Sequence, residues 1–425
     1  MLNLSPSAMT LGLGNVRKLL SALGDPQLQF DSVVIAGTNG KGSVSSYLAA
    51  ILLAHGRRAG LYTSPHIYAV NERIMVNGEP VSIDVMERAA SRITPLYDSI
   101  GYSYFEALTA IAFLVFAESG IEIAVLETGL GGRFDATNVV EPRISVLTGI
   151  SLDHRRILGD TEEEILREKL GITRPGVPFI CGVLSPDLRM IVEEKAAREA
   201  IPLCVLRDTD GIDLRQISFD GMRVRIRTEK KDYGELLLPF TGAHQLGNAL
   251  LAVRAAELLV DPLDRLPGAE RFVRLPGRFE VVAVGDKRVI LDVAHNDEAL
   301  IAATRTLESL SPREENAMIL GVLRRKELRV FPRVFPAQVS GVYLVEPVIG
   351  ESHTAPRLLE LIGIRSCRDA GLDVSLERPP ATDGDRARLL RRIVSPANRF
   401  NAVLITGSHR TVELFGRTIY RMESH

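Results

Sequence analysis

Short apolar runs that end in turn residues and then give way to amphipathic stretches recur along this chain. VVIA precedes GTNGKGS, IAVLE precedes TGLGG, and ISVLTGI precedes SLDH. A buried parallel strand reads as a continuous apolar run and its crossover as a helix, so the pattern predicts an α/β fold with a mostly parallel sheet. The order returns late in the chain, where VILDVAHN is followed by an amphipathic stretch from Glu298 to Leu310 and then by AMILGVL, VYLVEPV and AVLITGS. This predicts a second, smaller Rossmann-like α/β domain. Between Val205 and Phe240 the runs MRVRIRT and GELLLPF alternate in the manner of an antiparallel patch on the edge of the first domain. LPGRFE combines Pro and Gly just before the second domain's first strand. The expected division is residues 1–274, a linker over 275–285, and residues 286–425.

Length agrees with that division, since 425 residues exceed one ordinary core. A hydrophobic content of 46% and a charged content of 24% describe a globular chain and exclude disorder. With 51 Lys and Arg against 53 Asp and Glu, the formal net charge of -2 excludes broad attraction to nucleic acid or anionic lipid. Apolar runs such as Leu108 to Ala117 fall short of the roughly 20 residues that cross a bilayer. The beginning, MLNLSPSAMTLGLGNVRKLL, lacks the basic, apolar and small-residue segments of a secretory signal, so a cytoplasmic protein is expected. Cys181, Cys204 and Cys367 stand far apart and predict neither disulfide nor zinc site.

The chemistry concentrates where strands end. VVIAGTNGKGSVSSYLAAILLAHG supplies a strand, a glycine-rich loop and a helix, the context of a phosphate-binding loop. Helix-terminal N–H groups bind phosphate oxygens, Gly37, Gly40 and Gly42 permit close approach, Lys41 adds a positive charge and Ser43 can reach Mg²⁺. The match to G-x-x-x-x-G-K-[ST] is imperfect, because Ile35 stands at the first glycine position and Gly42 separates Lys41 from Ser43. Glu127 closes the strand IEIAVLE and His154 ends ISVLTGISLDH, so both fall at the carboxyl edge of the sheet, where ligands gather. An acid there holds Mg²⁺ in P-loop enzymes. A capping glutamate and a structural histidine are the competing readings.

In TEEEILREKLG, Thr161 and Glu164 have capping-box spacing and Gly171 can end the helix, which puts Ile165, Lys169 and Ile172 on one face. An inward lysine has a lowered pKa, because desolvation disfavours its ammonium form, and a neutral amine can take up CO₂ as a carbamate. A lysine snorkelling to water is the alternative. In the second domain Asp292, His295 and Asn296 follow a buried strand, with Arg278 in the linker.

AGTNGKGS, LYTSPHIYAVNERIMVNG, FEALTA, LETGLGGRFDATNV, SLDH, REKLGI, TGAHQLGNAL, LPGRFE and DVAHN follow one another in an order that resembles folylpolyglutamate synthases and dihydrofolate synthases of the Mur ligase superfamily. The resemblance runs from about Gly12 to the last strand. It implies an ATP- and Mg²⁺-dependent ligase that joins L-glutamate to dihydropteroate or a reduced folate, acting as a monomer. Gly40, Lys41, Gly42 and Ser43 would bind the ATP phosphates, with Asn248, Arg278 and Asp292 also reaching the nucleotide. Ser64, Glu127 and His154 look like the metal ligands, and Lys169 like the family's carbamylated lysine. Phe105, Glu106, Phe134, Asp135 and Ala136 fall where the family contacts the pterin.

The implied reaction passes through an acyl phosphate, with Lys41 and the metal spreading phosphoryl charge and closure of two domains excluding water. Arg155, Asp297, Arg325, His409 and Arg410 depart from the family pattern, mostly in the second domain. Two other readings stand beside it: a Mur-type amino-acid ligase acting on a different carboxylate, and a non-catalytic nucleotide-binding homologue.

Overall fold

The apolar runs become strands of a large sheet in which the crossovers are helical. In the computed structural model the described residues are 12–206, 211–264, 266, 268–312, 315–326, 328–331, 338–362, 373–376 and 382–423. The first eight strands are β1 (Asp31–Ala36), β2 (Ala59–Tyr62), β3 (Ile74–Val76), β4 (Glu79–Pro80), β5 (Ile123–Glu127), β6 (Ile144–Leu147), β7 (Phe179–Cys181) and β8 (Leu203–Val205). They form one sheet in the order β4-β3-β2-β5-β1-β6-β7-β8. From β2 across to β8 in that order every pairing is parallel, and only the β2–β3 and β3–β4 pairings at the edge are antiparallel. β1 is central and buried from Ser32 onward, which is why its sequence reads as an unbroken apolar run. The helix Tyr104–Glu118 is buried from Glu106 to Phe116 and carries much of the core with Leu108, Ile111 and Phe113.

The alternating segment forms a separate sheet of β9 (Gly211–Ser218), β10 (Gly221–Arg227) and β11 (Asp232–Leu238), in the order β11-β10-β9. It is not an added edge of the large sheet. Met222, Val224 and Ile226 give β10 a buried face of its own, while Arg223, Arg225 and Arg227 take the other positions.

The late strands are β12 (Glu280–Val284), β13 (Lys287–Leu291), β14 (Asn316–Leu320), β15 (Val339–Leu344), β16 (Asp373–Leu376) and β17 (Ala402–Thr406). Their order is β12-β13-β17-β14-β15-β16, parallel except for the β12–β13 hairpin. Residues 275–285 therefore hold a turn and the first strand of this sheet. The chain divides into two compact units: Met1–Asp213, Val224–Leu237 and Gln245–Leu275, and then Leu214–Arg223, Leu238–His244 and Pro276–His425. In the second unit Asn296 caps the helix Asp297–Leu310 through a bond from the Ala299 N–H at 3.0 Å. Asp297 accepts the N–H groups of Arg329 (2.9 Å) and Phe331 (2.7 Å). A proline there would lose that tie, so this departure has a structural use.

Register places Cys204 beside Ile180 and Cys181 beside Val205, so the two thiols point to opposite faces of the sheet, and both are free. Cys367 and the first residues, on which the leader expectation rested, lie outside the described residues. Among the described residues no helix is long and apolar enough to cross a membrane.

Candidate active site

The loop after β1 turns sharply into the helix Lys41–Ala54 through Gly40, whose φ of 84° is left-handed. Its shape is held by the segment that follows β6. Thr148 Oγ1 donates to the Asn39 carbonyl (2.6 Å), Thr38 N–H to the Gly149 carbonyl (2.9 Å) and Ser151 N–H to Thr38 Oγ1 (3.1 Å). A Cβ on Gly37 would sit 1.8 Å from Thr148 Oγ1, and one on Gly40 would sit 2.4 Å from Asn248 Oδ1. Asn248 is buried and donates to Gln245 Oε1 at 2.9 Å. The expected result of Gly40→Ala is a lowered melting temperature and a loss of ADP affinity, measured by thermal melts and calorimetry, since both φ and space oppose the methyl. Gly42 and Ser43 are buried in the first helical turn, and Lys41 Nζ lies over the loop, 3.1 Å from the Gly37 carbonyl and 3.2 Å from that of Thr38.

Glu127 is the last residue of β5, lies in register with Ile35 of β1 and is buried. Its Oε2 accepts the Ser64 N–H at 2.9 Å, which joins the strand ends carrying two of the expected metal ligands. His154 has a left-handed φ of 53° and precedes the short helix Arg155–Leu158. Its N–H donates to Asp153 Oδ1 (2.7 Å), and its side chain is 41% exposed with Nε2 3.9 Å from Asp153 Oδ2. Arg155, a departure from the family pattern, pairs with Asp160 at 2.9 Å. Among the described residues no three His, Cys, Asp or Glu side chains group to hold a metal. One carboxylate, one imidazole and hydroxyls suit Mg²⁺, which keeps waters and shares phosphate oxygens, better than a metal needing a full protein cage.

Thr161 and Glu164 form the expected reciprocal capping box, and the helix runs Glu162–Lys169. It tightens into a 3₁₀ turn at Leu170–Ile172, so Gly171 lies inside that turn and not just past a helix end. Lys169 is 4% exposed, and its Nζ donates to the Gly37 carbonyl at 2.7 Å. Burial, helped by the nearby Lys41 cation, pulls its pKa down to about 7. A lysine whose pKa is depressed on folding binds fewer protons folded than unfolded between about 7 and its unfolded value. Stability from this site therefore rises with pH above about 7. Lys169→Met is expected to raise the melting temperature most below pH 7, with the advantage shrinking toward pH 10, as thermal melts across pH would show.

The expected pterin contacts divide by the company they keep. Phe105 has its ring 6.0 Å from that of Tyr62 and packs where a Cβ on Gly129 would fall, 2.5 Å from its Cζ. Phe134 is 48% exposed, an unusual position for a large ring, and Ala136 beside it is buried. Glu106 instead accepts the N–H groups of Ser103 (2.7 Å) and Val16 (3.1 Å) as a capping residue. Asp135 is buried and accepts from Leu130 N–H (2.8 Å), Thr137 N–H (3.0 Å) and Thr137 Oγ1 (2.6 Å). Burial raises its pKa while those bonds oppose the rise.

In the second unit, Asp292 is buried and accepts the N–H groups of Phe279 (2.9 Å) and Ala294 (2.8 Å). Its pKa is raised by burial, against the pull of those bonds and of Arg278. The His295 and His409 rings lie 5.5 Å apart at the carboxyl ends of β13 and β17. Thr148 and Ser151 also belong to the site, and their hydroxyls carry no sequence signal apart from the loop they tie.

The Mur ligase middle domain family matches residues 35–256, and the Mur ligase glutamate ligase domain matches residues 277–409. The dihydrofolate synthase/folylpolyglutamate synthase of Bacillus subtilis is 35% identical over 328 residues, covering 74% of this chain and 76% of that protein. The corresponding Escherichia coli enzyme is 31% identical over 361 residues, covering 85% and 83%. Mycobacterium tuberculosis folylpolyglutamate synthase complexed with ADP superposes with a TM-score of 0.83 at 30% identity, over 98% of this chain and 95% of that one. Escherichia coli FolC in complex with DHPP and ADP gives 0.81 at 28% identity, over 99% and 96%. With both Mur ligase domains in order on two α/β sheets, this chain belongs to the folylpolyglutamate synthase and dihydrofolate synthase family of ATP-dependent ligases.

Proposed function

We propose that this ligase phosphorylates the carboxylate of a pterin-type acceptor, dihydropteroate or a reduced folate, and joins it to the amine of L-glutamate. The observation that carries the reading is the meeting of Lys41 and the buried Lys169 on one carbonyl of the phosphate loop, beside the Ser64–Glu127 strand ends.

In the first step an acceptor carboxylate oxygen attacks the γ-phosphorus of ATP, and the bond to the β–γ bridging oxygen breaks to release ADP. Lys41 and the loop N–H groups take the charge that spreads over the γ-phosphoryl oxygens. Ser64, Glu127 and His154 would hold Mg²⁺, which supplies charge neutralisation on the phosphates. The glutamate amine then attacks the acyl carbon, phosphate leaves, and the amine's proton passes to solvent or a nearby base. Phe105 and Phe134 offer flat apolar faces to a planar ring, while Glu106 and Asp135 hold the walls around it. Asn248, Arg278 and Asp292 would contact the nucleotide. Lys169, whose amine loses its proton as pH rises through about 7, would carry a carbamate and so present an anion to the metal side of the loop.

Phosphate release tests this directly, with ATP and glutamate present and dihydropteroate, tetrahydrofolate or a muramyl nucleotide as acceptor. Turnover with either pteridine substrate supports the reading and shows which acceptor is used. Turnover with the muramyl substrate alone, or with none, overturns it.

A further inference from the structure

Arg73 closes the 3₁₀ turn Val70–Arg73, just before β3. Its carbonyl accepts the Thr63 N–H at 3.0 Å, so it stands opposite the end of β2 and one residue from Ser64. The side chain is buried, with 9% exposure. A buried guanidinium ordinarily faces a carboxylate, because desolvating an unpaired cation is costly. Arg73 faces an imidazole: its Nε donates to His66 Nδ1 at 2.8 Å, and among the described residues no carboxylate lies within ion-pair reach.

The neighbouring acids are committed elsewhere. Glu72 takes the N–H groups of Ile67 (2.8 Å), Tyr68 (2.9 Å) and Ala69 (2.7 Å), which fixes the loop that presents His66. Asp135 is held by Leu130 and Thr137. Because His66 Nδ1 accepts from Arg73, its other ring nitrogen carries the proton, and the bond orients the guanidinium without neutralising it. The Arg73 charge acts on the buried Tyr62 hydroxyl, whose ring adjoins Phe105.

A positive charge without an acid thus lies between the aromatic wall and the Ser64–Glu127 edge. From this juxtaposition we propose that Arg73, oriented by His66, binds the reacting carboxylate of the acceptor and presents it for phosphorylation. The inference rests on the pterin-acceptor reading above and adds the group that recognises the acceptor's charge.

Calorimetric titration of the full chain with ADP present tests it, using the acceptor acid and its neutral carboxamide as paired probes. The unsubstituted protein is expected to favour the acid by about 10- to 100-fold, the range of a charge-assisted hydrogen bond. Arg73→Gln should bind acid and amide alike, Arg73→Lys should keep part of the preference, and ADP affinity should be unchanged in both. Replacing a buried cation that lacks an acid should leave the melting temperature equal or higher. Retention of the acid preference by Arg73→Gln overturns the proposal and leaves the pterin reading standing. So does an equal loss of ADP affinity, or a fall in melting temperature in both variants. Failure of the unsubstituted protein to bind either probe overturns both.

Discussion

Lys41→Ala is expected to lower phosphate release by about 10³-fold or more. The lysine extends over its own loop, with Nζ 3.1 and 3.2 Å from the Gly37 and Thr38 carbonyls. Those carbonyls are exchangeable partners, and phosphate oxygens are stronger acceptors in the same direction. Because charge on the γ-phosphoryl group is greatest in the transition state, the loss should fall mainly on kcat, with a smaller change in ADP affinity measured alongside. Gly37 and Gly40 still shape the loop in the variant, so its melting temperature should change little. Near-normal turnover would remove the phosphate loop from the reaction.

Lys169→Ala should lose about 100-fold or more in turnover, with partial recovery in formate, acetate or bicarbonate. The residue is buried, its amine loses its proton near pH 7, and CO₂ adds to the neutral form. Uptake of CO₂ should therefore increase as pH rises through about 7, and activity in degassed buffer should fall on that same limb. Intact mass gives a second readout, as an added CO₂ on the unsubstituted protein and none on the variant. A solvent-facing, unmodified lysine in electron density, or a variant indifferent to small acids, would count against the carbamate.

Local signals were legible where a short segment determines its own structure. Thr161 and Glu164 satisfy one another within a single turn, and that register puts Lys169 on one face with Ile165 and Ile172, the face that is buried. The apolar runs likewise gave the parallel strands, since burial on both faces leaves no alternation. What stayed hidden depends on partners distant in the chain. The carbonyl that receives Lys169 lies 132 residues away, and the N–H that occupies Glu106 belongs to Val16, 90 residues earlier. Glu106 and Asp135 fall at the pterin positions by resemblance, and sequence shows their carboxylates but not the N–H groups converging on them. Arg73 went unremarked for the converse reason, since the motif does not show that Glu72 beside it is turned to the loop backbone. Over 205–240 alternation shows a two-faced patch without showing that it forms a separate three-stranded sheet.

The Gly37 carbonyl serves as acceptor for both lysines, one from its own loop and one from the helix Glu162–Lys169. Two binding events that compete for, or rearrange, one acceptor are linked, and linkage is reciprocal. Under the proposed carbamate, whatever factor a bound nucleotide imposes on CO₂ capture by Lys169, dissolved CO₂ would impose on nucleotide affinity. With the proposed carbamate on Lys169, the oxygen of a single peptide group would couple the apparent ATP affinity of this ligase to the carbonate chemistry of its surroundings.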